Sequence, residues 1–165
     1  MKNILAICLI IVAFGLSSMV VLGQQTSDRE KLIKVAGLLE QKPLDNSAKE
    51  LRSWAITYLA TTRDVRFVIC SGDLTKPLLD KNSKYGAEIF AQYTIGMAAF
   101  KLGNPDKKDD EDAAQIAGFK SALRSYKALV KLDPKAKTAG MDGLITKRDK
   151  NQLPSLVANV GCGKS

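Results

Sequence analysis

Four basic side chains recur along one predicted helix at a spacing that places them on the same face. They occupy positions i, i+4, i+7 and i+11, namely Lys120, Arg124, Lys127 and Lys131. The surrounding stretch, residues 120–150, carries nine basic and three acidic residues. Such a basic stripe can bind anions, such as an acidic protein, anionic lipid or polyanionic envelope material. The alternative is a solvated face whose charges complement the carboxyl end of the helix.

Other kinds of chemistry have little support in the residues present. The basic stripe has no interleaved aromatic side chains on which bases could stack, so nucleic acid is not an expected partner. The chain contains no histidine, which removes Ser–His and Cys–His nucleophile pairs and histidine-ligated metal sites. Short motifs for serine hydrolases, zinc proteases and nucleotide binding are missing, and the acidic run 109–112 lacks calcium-loop spacing. The sequence predicts a protein without catalytic residues, metal or cofactor.

The first 23 residues have the pattern of a secretory signal peptide. Lys2 is the only charged side chain before Asp28, and an apolar stretch begins at Ile4. Val21 and Gly23 then fit the small-residue exit that precedes cleavage. We expect residues 1–23 to be removed between Gly23 and Gln24, giving an exported protein, periplasmic or secreted. The alternative is an uncleaved anchor, because the 20 residues from Ile4 to Gly23 are just long enough to span a bilayer.

Export would leave two of the three cysteines in the mature chain. Cys8 lies within the signal peptide, whereas Cys70 and Cys162 follow it. An even pair in an oxidising compartment predicts a disulfide between Cys70 and Cys162. The alternative is two free thiols, one of them buried as a small hydrophobic residue.

The remaining residues, 24–165, are predicted to form a single all-α domain. Apolar side chains at helical spacing, interrupted by five prolines, favour an antiparallel bundle or a short solenoid of about six helices. The predicted helices span 28–41, about 47–62, 84–102, 110–132, 137–148 and 153–160. The helix over 84–102 is apolar on most sides, which predicts a central position. One shared core is expected from Trp54, Tyr58, Ile89, Phe90, Tyr93, Phe119, Leu123 and Tyr126.

Residues 64–80 do not follow either helical or strand periodicity throughout. Val65, Phe67 and Ile69 alternate as in a strand, but no second strand-like segment nearby could pair with them. An unpaired strand would leave its backbone polar groups unsatisfied. We therefore expect helical turns here, with a break at Gly72 and a short helix that begins around Pro77.

One stretch resembles a tetratricopeptide repeat. Ala122, Tyr126 and Pro134 match the second helix of that motif, whereas Leu129 stands where alanine is usual. The pair Ile95-Gly96 is similar to the Leu-Gly of a first helix, but it lies about 14 residues too far upstream for the 34-residue period. The resemblance implies a concave face for protein or peptide partners, lined by Lys84, Glu88 and Gln92, with Lys49, Ser53 and Thr57 from the preceding helix. The alternative is that these six are ordinary solvent-facing side chains.

Two functions fit these observations. The first is an exported helical-repeat binding or scaffold protein that engages another protein or peptide without catalysis. The second is an envelope-associated structural protein whose basic stripe holds a polyanionic or anionic lipid surface. Membrane attachment is expected only if the signal segment stays uncleaved. The two functions differ in salt dependence, because binding by the stripe should weaken steeply as ionic strength rises.

Overall fold

A computed structural model describes residues 27–70 and 74–161 of the chain. These residues form an all-α fold with no strand, which confirms the predicted fold class. The six α-helices are α1 Asp28–Gln41, α2 Ala48–Thr61, α3 Gly86–Gly103, α4 Glu111–Leu132, α5 Ala139–Asp149 and α6 Leu153–Val160. Short 3-10 helices cover Lys76–Leu79, Pro105–Lys107 and Pro134–Ala136. The predicted signal peptide, residues 1–23, and Cys162 lie outside the described residues.

Side chains that cap the helix starts explain several of these bounds. Ser27, Asp110 and Thr138 each accept a hydrogen bond from a backbone N–H in the first turn of the helix that follows. Each bond satisfies a donor that has no partner within the helix. Ser47 precedes α2 but makes no such bond, because its hydroxyl donates instead to Asp45 Oδ1 at 2.8 Å.

Helix α3 is the centre of the fold, as its sequence predicted. It packs along α4, and it also contacts α1, α2 and the 3-10 helix Lys76–Leu79. Two glycines allow the closest approach between α3 and α4. A Cβ atom on Gly118 would lie 2.7 Å from the backbone carbonyl oxygen of Tyr93, and one on Gly96 would lie 2.7 Å from Ser121 Oγ. Neither position has room for a side chain.

The apolar side chains form two clusters rather than the single core expected from the sequence. The larger cluster joins α3, α4, α5 and α6 and contains Tyr93, Phe119 and Tyr126. The smaller one joins α1, α2 and α3, and Trp54 and Tyr58 pack against it while remaining half-buried. Their rings stack at 5.7 Å between centroids. The expectation of one core was wrong for these two residues, because α2 packs on α1 and α3 and its apolar side chains lie in the smaller cluster.

Residues 62–70 contain no helix, so the expected helical turns in this part of the chain are wrong. Side chains of α3 and α4 bind the backbone of this segment instead. Lys101 Nζ donates to the carbonyl oxygen of Arg66 at 2.8 Å, and the N–H of Val68 donates to Glu111 Oε2 at 3.3 Å. Gln115 Nε2 donates to the carbonyl oxygen of Val68. These bonds satisfy backbone groups that a neighbouring strand would otherwise have to pair.

The second half of the ambiguous stretch, residues 64–80, contains the short helix that the sequence predicted. The 3-10 helix Lys76–Leu79 carries Pro77 in its first turn, as predicted from the fixed φ angle of proline. The predicted break at Gly72 lies outside the described residues.

Candidate functional site

A groove between α2 and α3 brings together four of the six side chains predicted to bind a partner. Lys49, Ser53 and Thr57 line it from α2, and Glu88 lines it from α3. The groove has a volume of about 370 Å³. None of these four side chains forms a hydrogen bond or ion pair with another described residue. Their polar groups are therefore available to a partner.

The rest of this groove combines a half-buried cation with a small apolar surface. Arg52 donates from its guanidinium to the carbonyl oxygen of Pro43 at 3.0 Å, while its buried Nε has no partner among the described residues. Burial lowers the pKa of Arg52, and the negative charge of Glu88 raises it. Ile56, which is 39% exposed, and the alanines at 87 and 91 supply the apolar part.

Arg52 and Ile56 were missed at the sequence level, although the signal was available. On a helix, positions three and four residues apart share a face. The run Lys49, Arg52, Ser53, Ile56 and Thr57 follows that spacing. The sequence prediction was limited to polar residues and so did not include Ile56. Arg52 could not be distinguished by its sequence position from the other charged residues of α2.

The other two predicted partner-binding residues do not line this groove. Gln92 is only 1% exposed, and its Nε2 donates to the carbonyl oxygen of Ala36 and to Ser121 Oγ. Its assignment as a partner-binding residue was therefore wrong, because α1 and α4 cover this turn of α3. Lys84 is exposed, but its Nζ bonds Asp133 Oδ2 at 2.7 Å.

The Lys84–Asp133 contact leads to a prediction about acid stability, namely that Asp133→Asn lowers stability near neutral pH. The Asp133 carboxylate also accepts from the hydroxyl of Tyr85 at 2.8 Å and from the backbone N–H of Lys135. The bonds from Lys84, Tyr85 and Lys135 hold the pKa of Asp133 at about 2, below its usual 3.8.

A carboxyl group whose pKa is lower in the folded than in the unfolded state stabilises the fold above its unfolded pKa. That contribution is lost as the pH falls through about 4 towards 2. Thermal melts at neutral pH and across this acid range should show a smaller acid-induced loss in Asp133→Asn than in the wild type. Parallel melting curves for the two proteins at every pH would contradict this role of Asp133.

The basic stripe on α4 is less uniform than its sequence spacing indicated. Lys120, Lys127 and Lys131 are exposed and form no ion pair with a described residue. Arg124 is bound in a bidentate pair with Glu40 of α1, at 2.6 Å from Nε and 2.7 Å from the terminal nitrogen. The hydrogen bond to Glu40 raises the pKa of Arg124. Arg124 therefore ties α4 to α1, and its guanidinium is already engaged by Glu40.

A wider groove of about 560 Å³ borders the same stripe, between α1, α3 and α4. Lys120 and Arg124 lie at its edge, and Ile33, Phe100 and Ile116 contribute its larger apolar side chains. Most of the other lining residues are alanine or glycine. The contact of Arg124 with Glu40 leaves Lys120 as the uncompensated stripe residue along this groove.

Cys70 is buried, with 2% of its surface exposed. It belongs to the same hydrophobic cluster as Leu153 and Val157 of α6, so the chain just before Cys162 packs into that cluster. Because Cys162 lies outside the described residues, the pairing of Cys70 with Cys162 stays a prediction.

Within residues 27–70 and 74–161, no group of three or more aspartate, glutamate, cysteine or histidine side chains is arranged to hold a metal ion. The same part of the chain has no helix that is both long and apolar enough to cross a bilayer.

No protein-family model matches this sequence, and neither a curated protein nor a solved structure is significantly similar to it. Its function is therefore inferred from its own residues and their geometry.

Proposed function

We propose that this chain is an exported, non-catalytic helical protein that engages another protein or peptide through the groove between α2 and α3. The observation that carries the proposal is the convergence of Lys49, Ser53, Thr57 and Glu88 on one groove, without partners among the described residues. Unpartnered polar groups around a small apolar surface are what a binding groove needs for orientation and contact. The resemblance to tetratricopeptide repeats supports the same surface.

The chemistry of the groove defines the kind of segment that fits it. Ile56 and the two alanines of α3 offer contact to one small apolar side chain. Lys49 and Arg52 favour an acidic group on the partner, and Glu88 favours a donor or a cation. The expected ligand is a peptide segment with an apolar residue between an acidic and a basic or amide side chain.

Site-directed photo-crosslinking tests this function. A benzoylphenylalanine at Ser53 of the full chain, expressed in the cells that produce it, should give a discrete protein adduct. The matched control position is Thr146 on α5, which is also exposed but lies outside the groove. Adding Glu88→Lys to the Ser53 probe should abolish the adduct, because it removes the only carboxylate among the described residues that line the groove. An equal adduct from Thr146, or one that survives Glu88→Lys, would contradict the proposal.

Salt separates this function from the second candidate, in which the basic stripe holds a polyanionic or anionic lipid surface. Lys120, Lys127 and Lys131, exposed and without ion pairs to described residues, favour that candidate. Contacts made by packing in the groove should persist when salt is raised from about 0.05 M to about 0.5 M, whereas exposed charges are screened over that range. An adduct that disappears at high salt and also in Lys127→Gln/Lys131→Gln would favour the stripe.

A further inference from the structure

A second basic surface forms where three separate parts of the chain meet. The start of α1, the segment after α2 and the end of α3 enclose a pocket of about 220 Å³. Arg29, Arg63, Arg66 and Lys108 line it, together with the buried Lys101. This basic pocket shares no residue with the groove between α2 and α3.

The basic pocket carries a net positive charge, because its cations outnumber its carboxylates. Glu111 pairs with Lys101, which leaves four cations against the carboxylates of Asp64 and Asp109. None of the four cations forms an ion pair with a described residue. Asp64 accepts a hydrogen bond from the hydroxyl of Tyr58 at 2.9 Å, so part of the hydrogen-bond acceptor capacity of its carboxylate is already used. Like charges gathered around one concavity create a positive potential that a bound anion relieves.

We propose that the basic pocket binds a compact oxyanion of the phosphate class, either a free phosphate compound or the phosphate of a lipid headgroup. Three of its four cations without an ion pair to a described residue are arginines. The planar guanidinium group of arginine can bind two phosphate oxygens at once. The volume of about 220 Å³ suits a small charged group rather than a folded partner. Arg63 and Arg66 come from a segment held in place by Lys101 and Glu111, so part of the anion site is prearranged.

The distribution of charge along the sequence does not reveal this pocket. Residues 24–119 carry 14 basic and 14 acidic residues, a balance that hides any local excess. The excess arises because the fold brings residues 29, 63, 66 and 108 together and leaves most of the acidic residues elsewhere.

The test compares pyrophosphate binding by the full chain and by two double variants with the same charge loss. Arg63→Gln/Arg66→Gln removes two pocket cations, and Lys127→Gln/Lys131→Gln is the matched control on α4. Calorimetry should show pyrophosphate binding to the wild type and the control, with at least a tenfold weaker affinity in the pocket variant. Arg29→Gln, a cation in the first turn of a helix where positive charge is unfavourable, should also weaken binding without lowering the melting temperature.

Vesicles distinguish the two sources of phosphate. Co-sedimentation with phosphatidic acid vesicles, absent with phosphatidylcholine and lost in Arg63→Gln/Arg66→Gln alone, would assign the pocket to a lipid headgroup. Pyrophosphate binding without vesicle binding would assign it to a free phosphate compound. Equal losses in the pocket and control variants, or no binding of either probe, would overturn the proposal.

Discussion

Gly118→Ala is expected to destabilise the protein by about 3 kcal/mol, the upper part of the range for overpacking a core. The added Cβ would lie 2.7 Å from the carbonyl oxygen of Tyr93 and 2.6 Å from Met97 Cγ. The methionine side chain can move, but the carbonyl belongs to the backbone of α3. Relief therefore requires the two central helices to separate. Urea unfolding followed by circular dichroism measures the change in the free energy of unfolding.

Gly143→Ala is the matched control for this substitution. Gly143 lies inside α5, and a Cβ atom added there would meet nothing within 4 Å. Because alanine favours the helix more than glycine does, this variant should gain about 0.5–1 kcal/mol. A Gly118→Ala protein as stable as the wild type would mean that α3 and α4 are not held at the distance described.

Lys101→Met is expected to cost about 3–5 kcal/mol, because it breaks a buried ion pair by removing one partner. Lys101 is only 4% exposed, and its Nζ bonds both Glu111 and the carbonyl oxygen of Arg66. Methionine can fill much of the same space but cannot donate a hydrogen bond. The variant would leave the Glu111 carboxylate without its cation and the Arg66 carbonyl without its donor.

A second substitution distinguishes the cost of the unpaired Glu111 charge from the cost of altered packing at position 101. Adding Glu111→Gln to Lys101→Met removes the unpaired charge, while the amide oxygen can still accept from the N–H of Val68. The double variant should recover part of the lost stability. Lys127→Met, at an exposed position, should change stability by less than about 0.5 kcal/mol. If Lys101→Met behaves like Lys127→Met, the buried pair is not a significant stabilising contact.

Features encoded by short stretches of sequence were predicted well. The bounds of α1, 28–41, and of α6, 153–160, agree with the sequence to the residue, because polar caps and prolines mark them. One side of the groove between α2 and α3 is also a local feature of the sequence. Helical periodicity alone places Lys49, Ser53 and Thr57 on one face.

Features that depend on distant parts of the chain were not predictable from that spacing. Arg124 follows the periodicity of the basic stripe, but its partner Glu40 lies 84 positions away. Gln92 shares a helix face with Glu88, yet α1 and α4 close over it. Residues 64–70 of the irregular segment were predicted to form helical turns, because no neighbouring strand could pair with their backbone. Those partners are side chains of two helices that follow it in the chain.

The irregular segment 62–70 is also where we expect the native protein to open locally, before it unfolds globally. Among the described residues, the side chains of Lys101, Glu111, Gln115 and Thr75 bind the backbone of residues 66–70. Phe67 packs against both hydrophobic clusters, so detachment of this segment removes one contact that the clusters share, while α3 still belongs to both. Amide protons in such a unit exchange with solvent through local opening rather than global unfolding. The segment is therefore the unit expected to open before the helices do, and its side-chain bonds set how easily it opens.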